Sequence, residues 1–245
     1  MIIKNKQLIK HIANFKNLII LQPNESVIGL IPIQFNRSFF TDPKILKELA
    51  KEVKRIINFK NIDLIAGIEL GGVTFATSIA LATGKPLVIV RSKVVRAGRS
   101  NIWGDTNFLK PGSRILLVDD IISGGGTKKI AIKIIESRKA KVTDLVVFHD
   151  FKYQKTKRFN LKKERGFLDK KKIKLHPLLS WEELIDLRYH HETMDKDLRE
   201  ICLAMQKMYL FRDDHYGYIT KTINLMKKYH LKLPRHLKIF RAFSM

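Results

Sequence analysis

Apolar residues fall into two rhythms along the chain. Near the N-terminus, Leu8, Ile9, Ile12 and Phe15 recur at three- and four-residue spacing, which predicts a first amphipathic helix. Thr41-Asp42-Pro43 offers a capping side chain and then a proline, whose missing N–H is harmless in a first turn. Ile45, Leu46, Leu49, Val53, Ile56 and Ile57 continue that helix to about Phe59. After it the rhythm changes. Four apolar runs of strand length lie at 62–66, 87–90, 115–118 and 145–148, and the last three are rich in β-branched residues. Helical patterns at 73–81 and 128–137 separate them. Strands alternating with helices at this spacing predict βαβ units: an α/β fold with an open parallel sheet covered by helices on both faces, over residues 1–150.

Beyond residue 150 the pattern dissolves. Residues 151–172 hold ten basic and two acidic residues, with Phe151, Tyr153, Phe159 and Phe167 interspersed. They read as a loop or partly ordered excursion within a basic connecting segment, 151–179. Ser180-Trp181-Glu182-Glu183 fits a capping box, so a short helix should begin there. Amphipathic stretches at 195–211 and 216–229 complete a C-terminal helical appendage, 180–245, with Pro234 as a stop.

Composition narrows the function classes. The 245 residues are 45% hydrophobic and 29% charged, enough for one large domain or a domain with an appendage. No apolar run approaches the ~20 residues that span a bilayer. A single cysteine, Cys202, rules out a disulfide within the chain and disfavours Cys-ligated zinc. Residues 1–24 carry four lysines and no acid, but also no arginine or serine, so they make a poor import segment and the cytoplasm is the default expectation. The net charge of +24 suits nucleic acid, an anionic surface or a phosphate ligand. A chain rich in Lys, Ile and Asn and poor in Ala can also reach that charge by compositional drift.

The densest chemical signal runs from Arg114 to Lys128. A hydrophobic strand ends in Asp119 and Asp120, then Ser123, Gly124, Gly125, Gly126 and Thr127 lead into a helix. Ligands of open parallel sheets bind beyond the carboxyl ends of strands. Glycines let the backbone curve round an anion and present N–H groups at a helix N-terminus. Ser123 and Thr127 add hydroxyl donors. Two acids beside a phosphate would repel it unless they address something else, such as sugar hydroxyls, so the set points to a sugar phosphate. The Walker spacing GxxxxGK[ST] is absent.

At these residues the chain resembles the type I phosphoribosyltransferases, whose signature is a hydrophobic strand, two acids and a hydroxyl- and glycine-rich phosphate loop. A second segment, Ala66-Gly67-Ile68-Glu69-Leu70-Gly71-Gly72-Val73 continuing to Thr83-Gly84-Lys85-Pro86 and Val90-Arg91, looks like the orotate phosphoribosyltransferase branch. The Thr41-Asp42-Pro43 helix and Leu175-His176-Pro177-Leu178-Leu179-Ser180 also have counterparts there, so the resemblance covers about residues 25–185. It implies transfer of ribose 5-phosphate from Mg2+-bound phosphoribosyl pyrophosphate to a nucleobase, orotate first, with release of pyrophosphate. It also implies a cytoplasmic homodimer, Mg2+ held mainly through the substrate, and catalysis by positioning and by stabilising the departing charge. The family's 5′-phosphate loop falls on Ser123 to Thr127, its ribose-hydroxyl acids on Asp119 and Asp120, and its pyrophosphate loop on Glu69, Leu70, Gly71 and Gly72.

Two stretches depart from the family pattern. In strict register the lysines of its mobile loop fall on Ser92 and Val95, which leaves Arg91, Lys93, Arg96 and Arg99 to meet pyrophosphate, Lys93 and Arg96 being the catalytic candidates. In the base-recognition region, 27–36, Val27 stands where a lysine is expected. A binding-only alternative therefore remains: a degenerate phosphoribosyltransferase fold serving in RNA binding, regulation or assembly, with RNA contact through 151–172. Weaker features are His190-His191-Glu192, whose side chains diverge on a helix and lack metal-site spacing, and His149-Asp150 at a strand end, which either lines the site or belongs to a loop.

Overall fold

The computed structural model describes residues 3–16, 18–21, 33–92, 100–151 and 161–191, with isolated positions between 194 and 228. Lys93, Arg96, Arg99, Val27 and most of the helices expected at 195–211 and 216–229 lie outside the described residues. The first helix, α1 (Lys6–Asn14), begins where the Asn5 side chain accepts from the Leu8 N–H at 3.1 Å. A two-stranded antiparallel ribbon follows, β1 (Ile19–Leu21) with β2 (Ile33–Phe35). Asp42 caps α2 (Pro43–Ile56) and Pro43 occupies its first turn, the arrangement the sequence predicts.

Six strands form the main sheet: β3 (Leu64–Ile68), β4 (Leu87–Val90), β5 (Ile102–Trp103), β6 (Arg114–Ile122), β7 (Lys141–Asp150) and β8 (Lys174–Ser180). Their order is β5-β4-β3-β6-β7-β8, and all pairs are parallel except β4 with β5. Chain order runs one way from β3 to β4 and the other way from β6 to β8. The reversal lies between β3 and β6, which makes the crevice beyond their carboxyl ends the natural ligand site of such a sheet.

Alternation along the strands feeds two cores. Leu116 and Val118 of β6, with Phe148 of β7, face α1, α2, α3 (Val73–Thr83) and α6 (Trp181–His190). Ile115, Leu117 and Val147 face α4 (Gly126–Glu136) and Leu168 of α5 (Leu161–Lys170). Ser180 and Glu183 form the expected capping box at the start of α6. Arg188 of α6 is buried and donates to the carbonyls of Ile12, Ala13 and Phe15, closing the C-terminal end of α1. Cys202 is buried, and its carbonyl accepts from the Trp181 indole at 2.7 Å.

The sheet does not stop near residue 150. β8 lies in the stretch read as a connecting segment, and α5 replaces the loop expected at 151–172 over residues 161–170. The reasons are local. β8 carries Lys174, His176 and Pro177, which weaken its apolar pattern but suit an edge strand. In α5 charged residues occupy six of the ten positions and hide the few residues that turn inward. Among the described residues no helix is long and apolar enough to cross a membrane.

Candidate active site

β6 is longer than its neighbour on one side. Pairing with β3 ends at Gly67–Val118, whereas pairing with β7 runs on to Ile122–Asp150. Asp119 to Ile122 therefore border the crevice at the strand-order reversal. The loop after β3 fills that border closely. A Cβ on Gly72 would overlap the Val118 carbonyl oxygen and stand 2.9 Å from the Asp119 Cα; one on Gly71 would overlap the Asp120 carboxyl. Only glycine allows residues 69–72 to lie against the acid pair.

Both acids are buried and both are paired. Asp119 meets the Lys128 ammonium at 2.5 Å and accepts from the Asp120 backbone N–H at 2.9 Å. Lys128 also donates to the Ile121 carbonyl. Asp120 meets the Arg37 Nε at 2.5 Å and accepts from the Ile121 N–H at 2.9 Å. Their titrations are driven apart. Burial pushes Asp119 well above the usual carboxylate range; Lys128 pulls the other way and the neighbouring Asp120 charge adds to the rise. Burial is the largest single influence on Asp120 and opposes its charge, but the Arg37 guanidinium, the hydrogen bond with Asp119 and the Lys128 ammonium together outweigh it, and Asp120 sits below its ordinary value.

After Ile122 the chain turns into α4. Gly125 adopts φ 86°, a conformation costly for any residue with a Cβ, and among the described residues no side chain caps the helix. The first-turn N–H groups are therefore left for an anion. Ser123 is partly exposed and Thr127 exposed, and neither hydroxyl is hydrogen-bonded among the described residues. The N-terminus of α3 is built alike: Gly72 is its cap and no side chain among the described residues closes it. The Glu69–Leu70 peptide is cis, and Leu70 is 79% exposed. Glu69 forms an ion pair with the Arg91 Nε at 3.0 Å, without hydrogen-bond alignment.

Of the residues singled out from sequence, Glu69, Leu70, Gly71, Gly72, Asp119, Asp120 and the Ser123–Thr127 loop thus converge on one crevice, with Arg91 at its β4 side through Glu69. Among the described residues no group of three or more His, Cys, Asp or Glu side chains could hold a metal ion. With Lys128 and Arg37 on the two acids, the donor set suits a cation that arrives on a polyphosphate better than a resident one. His190 and His191 are exposed at the end of α6.

Three cations escaped the sequence reading. Lys128 lies one helical turn before Ala131 and Ile132, on the buried face of α4, and a lysine on a core stripe signals a buried partner. Arg37 follows the base-recognition stretch directly, held by a ring cluster in which Phe35 and Phe39 pack on Phe148 at 5.6 and 5.0 Å. Arg165 had no signal inside a lysine-rich run. His149 is fully buried against Phe35 and Trp181, 4.9 and 5.6 Å away between ring centroids. Among the described residues neither ring nitrogen has a partner, and burial pushes its pKa down to about 4.

Residues 38–177, more than half of the chain, match the family described as phosphoribosyl transferase domain. Orotate phosphoribosyltransferase of Pyrococcus abyssi is 37% identical over 153 residues, 61% of this chain and 78% of that protein. The enzyme of the same name from Methanosarcina acetivorans is 37% identical over 111 residues, 45% of this chain; the match spans only 58% of that protein's length. A hypoxanthine/guanine phosphoribosyltransferase of Methanohalophilus mahii is 35% identical over 116 residues, 43% of this chain and 60% of that protein. Among solved structures, Leishmania donovani UMP synthase superposes with a TM-score of 0.65 at 22% identity, over 82% of this chain and 42% of that one. Orotate phosphoribosyltransferase of Mycobacterium tuberculosis, in complex with 5-phospho-α-D-ribosyl 1-diphosphate, gives 0.52 at 16% identity, over 73% and 89%. These two likenesses concern the fold.

Proposed function

The chain belongs to the phosphoribosyltransferase family, and on that premise we propose that it transfers ribose 5-phosphate from phosphoribosyl pyrophosphate to a pyrimidine base, orotate first, releasing pyrophosphate. The observation that carries the reading is the convergence of two uncapped helix N-termini and a buried, paired acid couple on the crevice between β3 and β6. The α4 terminus, with Ser123 and Thr127, takes the 5′-phosphate. Asp119 and Asp120 accept from the ribose hydroxyls. The 69–72 loop and Arg91 face the pyrophosphate, joined by Lys93, Arg96 and Arg99. Magnesium enters as part of the substrate, chelated by its pyrophosphate.

In this reaction the bond from ribose to pyrophosphate breaks as a base nitrogen bonds to the same carbon. Positive charge gathers on the sugar and negative charge on the leaving group. The chain's contribution is to fix both ends of the substrate and offset the leaving charge. The proposal includes a homodimer in the cytoplasm, supported by the family resemblance. RNA contact through 151–172 would be left to exposed lysines such as Lys162, Lys163 and Lys170, because Arg165 of that segment faces inward.

Purified protein, phosphoribosyl pyrophosphate and Mg2+ are incubated with orotate, uracil, hypoxanthine or guanine, and pyrophosphate release is followed. Orotate-dependent release is the expected result. Release with a purine alone would replace the base assignment. No release with any base, from folded protein that binds phosphoribosyl pyrophosphate, would overturn the enzyme reading in favour of the binding-only alternative.

A further inference from the structure

The phosphate loop is braced from a part of the chain that the family signature does not include. Arg165 of α5 reaches under the loop. Its guanidinium grips the buried Asp150 at the end of β7 through two contacts, 2.8 and 2.6 Å. The same group donates to the carbonyl of Ser123 at 2.8 Å and to that of Ile122 at 3.2 Å. Only 11% of the side chain is exposed, so these four bonds are shielded from competing water. Two residues on, Phe167 packs on the loop itself: a Cβ on Gly125 would stand 2.9 Å from its ring. Lys129 lies 5.3 Å over the other part of that contact, the Phe167 ring centroid, and 3.5 Å from Glu164. Lys171 and Glu136, 2.7 Å apart, tie the far ends of α5 and α4.

The chemistry of this brace is specific. A planar fork with several fixed donors can hold a carboxylate and two carbonyls at once; an ammonium cannot reach all three in the same geometry. The two carbonyls belong to the residues where β6 gives way to the phosphate loop. Fixing them sets the direction in which the following N–H groups point, and those N–H groups are what an anion would read.

We infer that Arg165 is a positioning residue: its guanidinium holds the entrance of the phosphate loop in the shape that binds a sugar 5′-phosphate, and α5 is thereby part of the binding apparatus. The inference rests on the function proposed above and adds to it a dependence on a residue outside the loop.

The test separates the two ends of the substrate. Affinities for ribose 5-phosphate and for pyrophosphate are measured by calorimetry on the full chain, as wild type, Arg165→Lys and the double variant Asp150→Asn/Arg165→Gln. The double variant removes both buried charges, so it avoids the unpaired carboxylate that Arg165→Gln alone would leave. Both variants should bind ribose 5-phosphate on the order of tenfold to a hundredfold more weakly, the scale of one lost charge-assisted hydrogen bond and a loosened loop. Pyrophosphate, which addresses the 69–72 loop, should bind within about twofold of wild type on the same additivity argument. Unchanged ribose 5-phosphate affinity in a folded variant, or equal weakening of both ligands, would overturn the inference, as would loss of the fold in both variants. If wild type binds neither ligand, the proposed function falls and the inference with it.

Discussion

Replacing Lys128 by Met tests the centre of the site at its most buried contact. The Lys128 and Asp119 side chains are 7% and 6% exposed and 2.5 Å apart. Met keeps most of the stem and removes the charge, which leaves a buried carboxylate without its counter-ion. Breaking a buried pair in this way costs about 3–5 kcal/mol. With Asp119 at about 7 in the wild type, the variant escapes most of that cost by keeping its carboxyl protonated, and the gap left at pH 8 is about 1.4 kcal/mol. At about 2–4 °C of Tm per kcal/mol for a chain of this length, that is a fall of roughly 3–6 °C. The fall must depend on pH. Asp119 is raised in the folded protein chiefly by burial, and Lys128 is the influence that restrains the rise. A carboxyl raised on folding contributes stability that is complete below its unfolded pKa and is lost as pH climbs through the folded one. Without Lys128 that loss continues to higher pH, so the gap between variant and wild type should be small at pH 5 and widest at pH 8. Thermal unfolding by circular dichroism at constant ionic strength measures it. Adding Asp119→Asn to the variant should recover more than half of the loss at pH 8. A fall that is the same at both pH values, or a double variant no more stable than the single one, would refute the pairing.

Four further outcomes are expected. Asp119→Asn with Asp120→Asn should abolish pyrophosphate release while the circular dichroism spectrum and cooperative unfolding persist. Gly72→Ala places a methyl against immovable backbone, the Val118 carbonyl and the Asp119 Cα, and should cost about 1–3 kcal/mol by overpacking and raise the KM for phosphoribosyl pyrophosphate. Gly84→Ala, at φ 66° with open space around it, should cost about 1 kcal/mol and leave that KM unchanged. His149, held near 4 by burial, should be neutral at pH 7 by 15N NMR of the ring. Its contribution to stability is present above pH 6.5 and lost as pH falls through about 4, so a Tm independent of pH between those values in Asp119→Asn protein would contradict its burial.

The readable part of this fold was what repetition spells out. The α2 start at Asp42-Pro43, the capping box at Ser180, and the strands beneath Gly67, Val118 and Val147 all follow from local pattern, because each is stabilised by contacts its own sequence advertises. The turn into α4 was legible for the same reason, since Gly125 must adopt a left-handed conformation and the glycines say so. The partners of the acids were not. Arg37 is 83 residues from Asp120 along the chain, and Arg165 is 42 from Ser123; pairings of that kind are set by topology rather than by neighbouring residues. β8 was hidden by Pro177 and its polar first half, which an edge position tolerates. α5 was hidden by its own charge, since a helix with six charged residues in ten, burying little apolar surface beyond Leu168, scarcely differs from a solvated loop in sequence.

Those hidden partners resolve a difficulty posed by the motif itself. Two carboxylates beside a phosphate site repel what the site must bind. At about 6 Å and an effective dielectric of about 20, each unit of charge would cost roughly 3 kcal/mol. Directing the acids toward sugar hydroxyls removes the wrong hydrogen bonds but not the field. Lys128 and Arg37 remove the field, each offsetting one acid before a ligand arrives. They do so unequally, because Lys128 is buried and fixed, whereas the Arg37 side chain is 51% exposed. The result is a pair of adjacent carboxyls with opposite tendencies: Asp120 lowered against its burial by Arg37, Asp119 and Lys128 together, Asp119 raised by burial against the pull of a buried amine. Neighbouring acids driven apart in this way take different parts. Under the proposed function Asp120 is the member that would accept a ribose hydroxyl as a carboxylate, while Asp119 is the member whose charge follows pH.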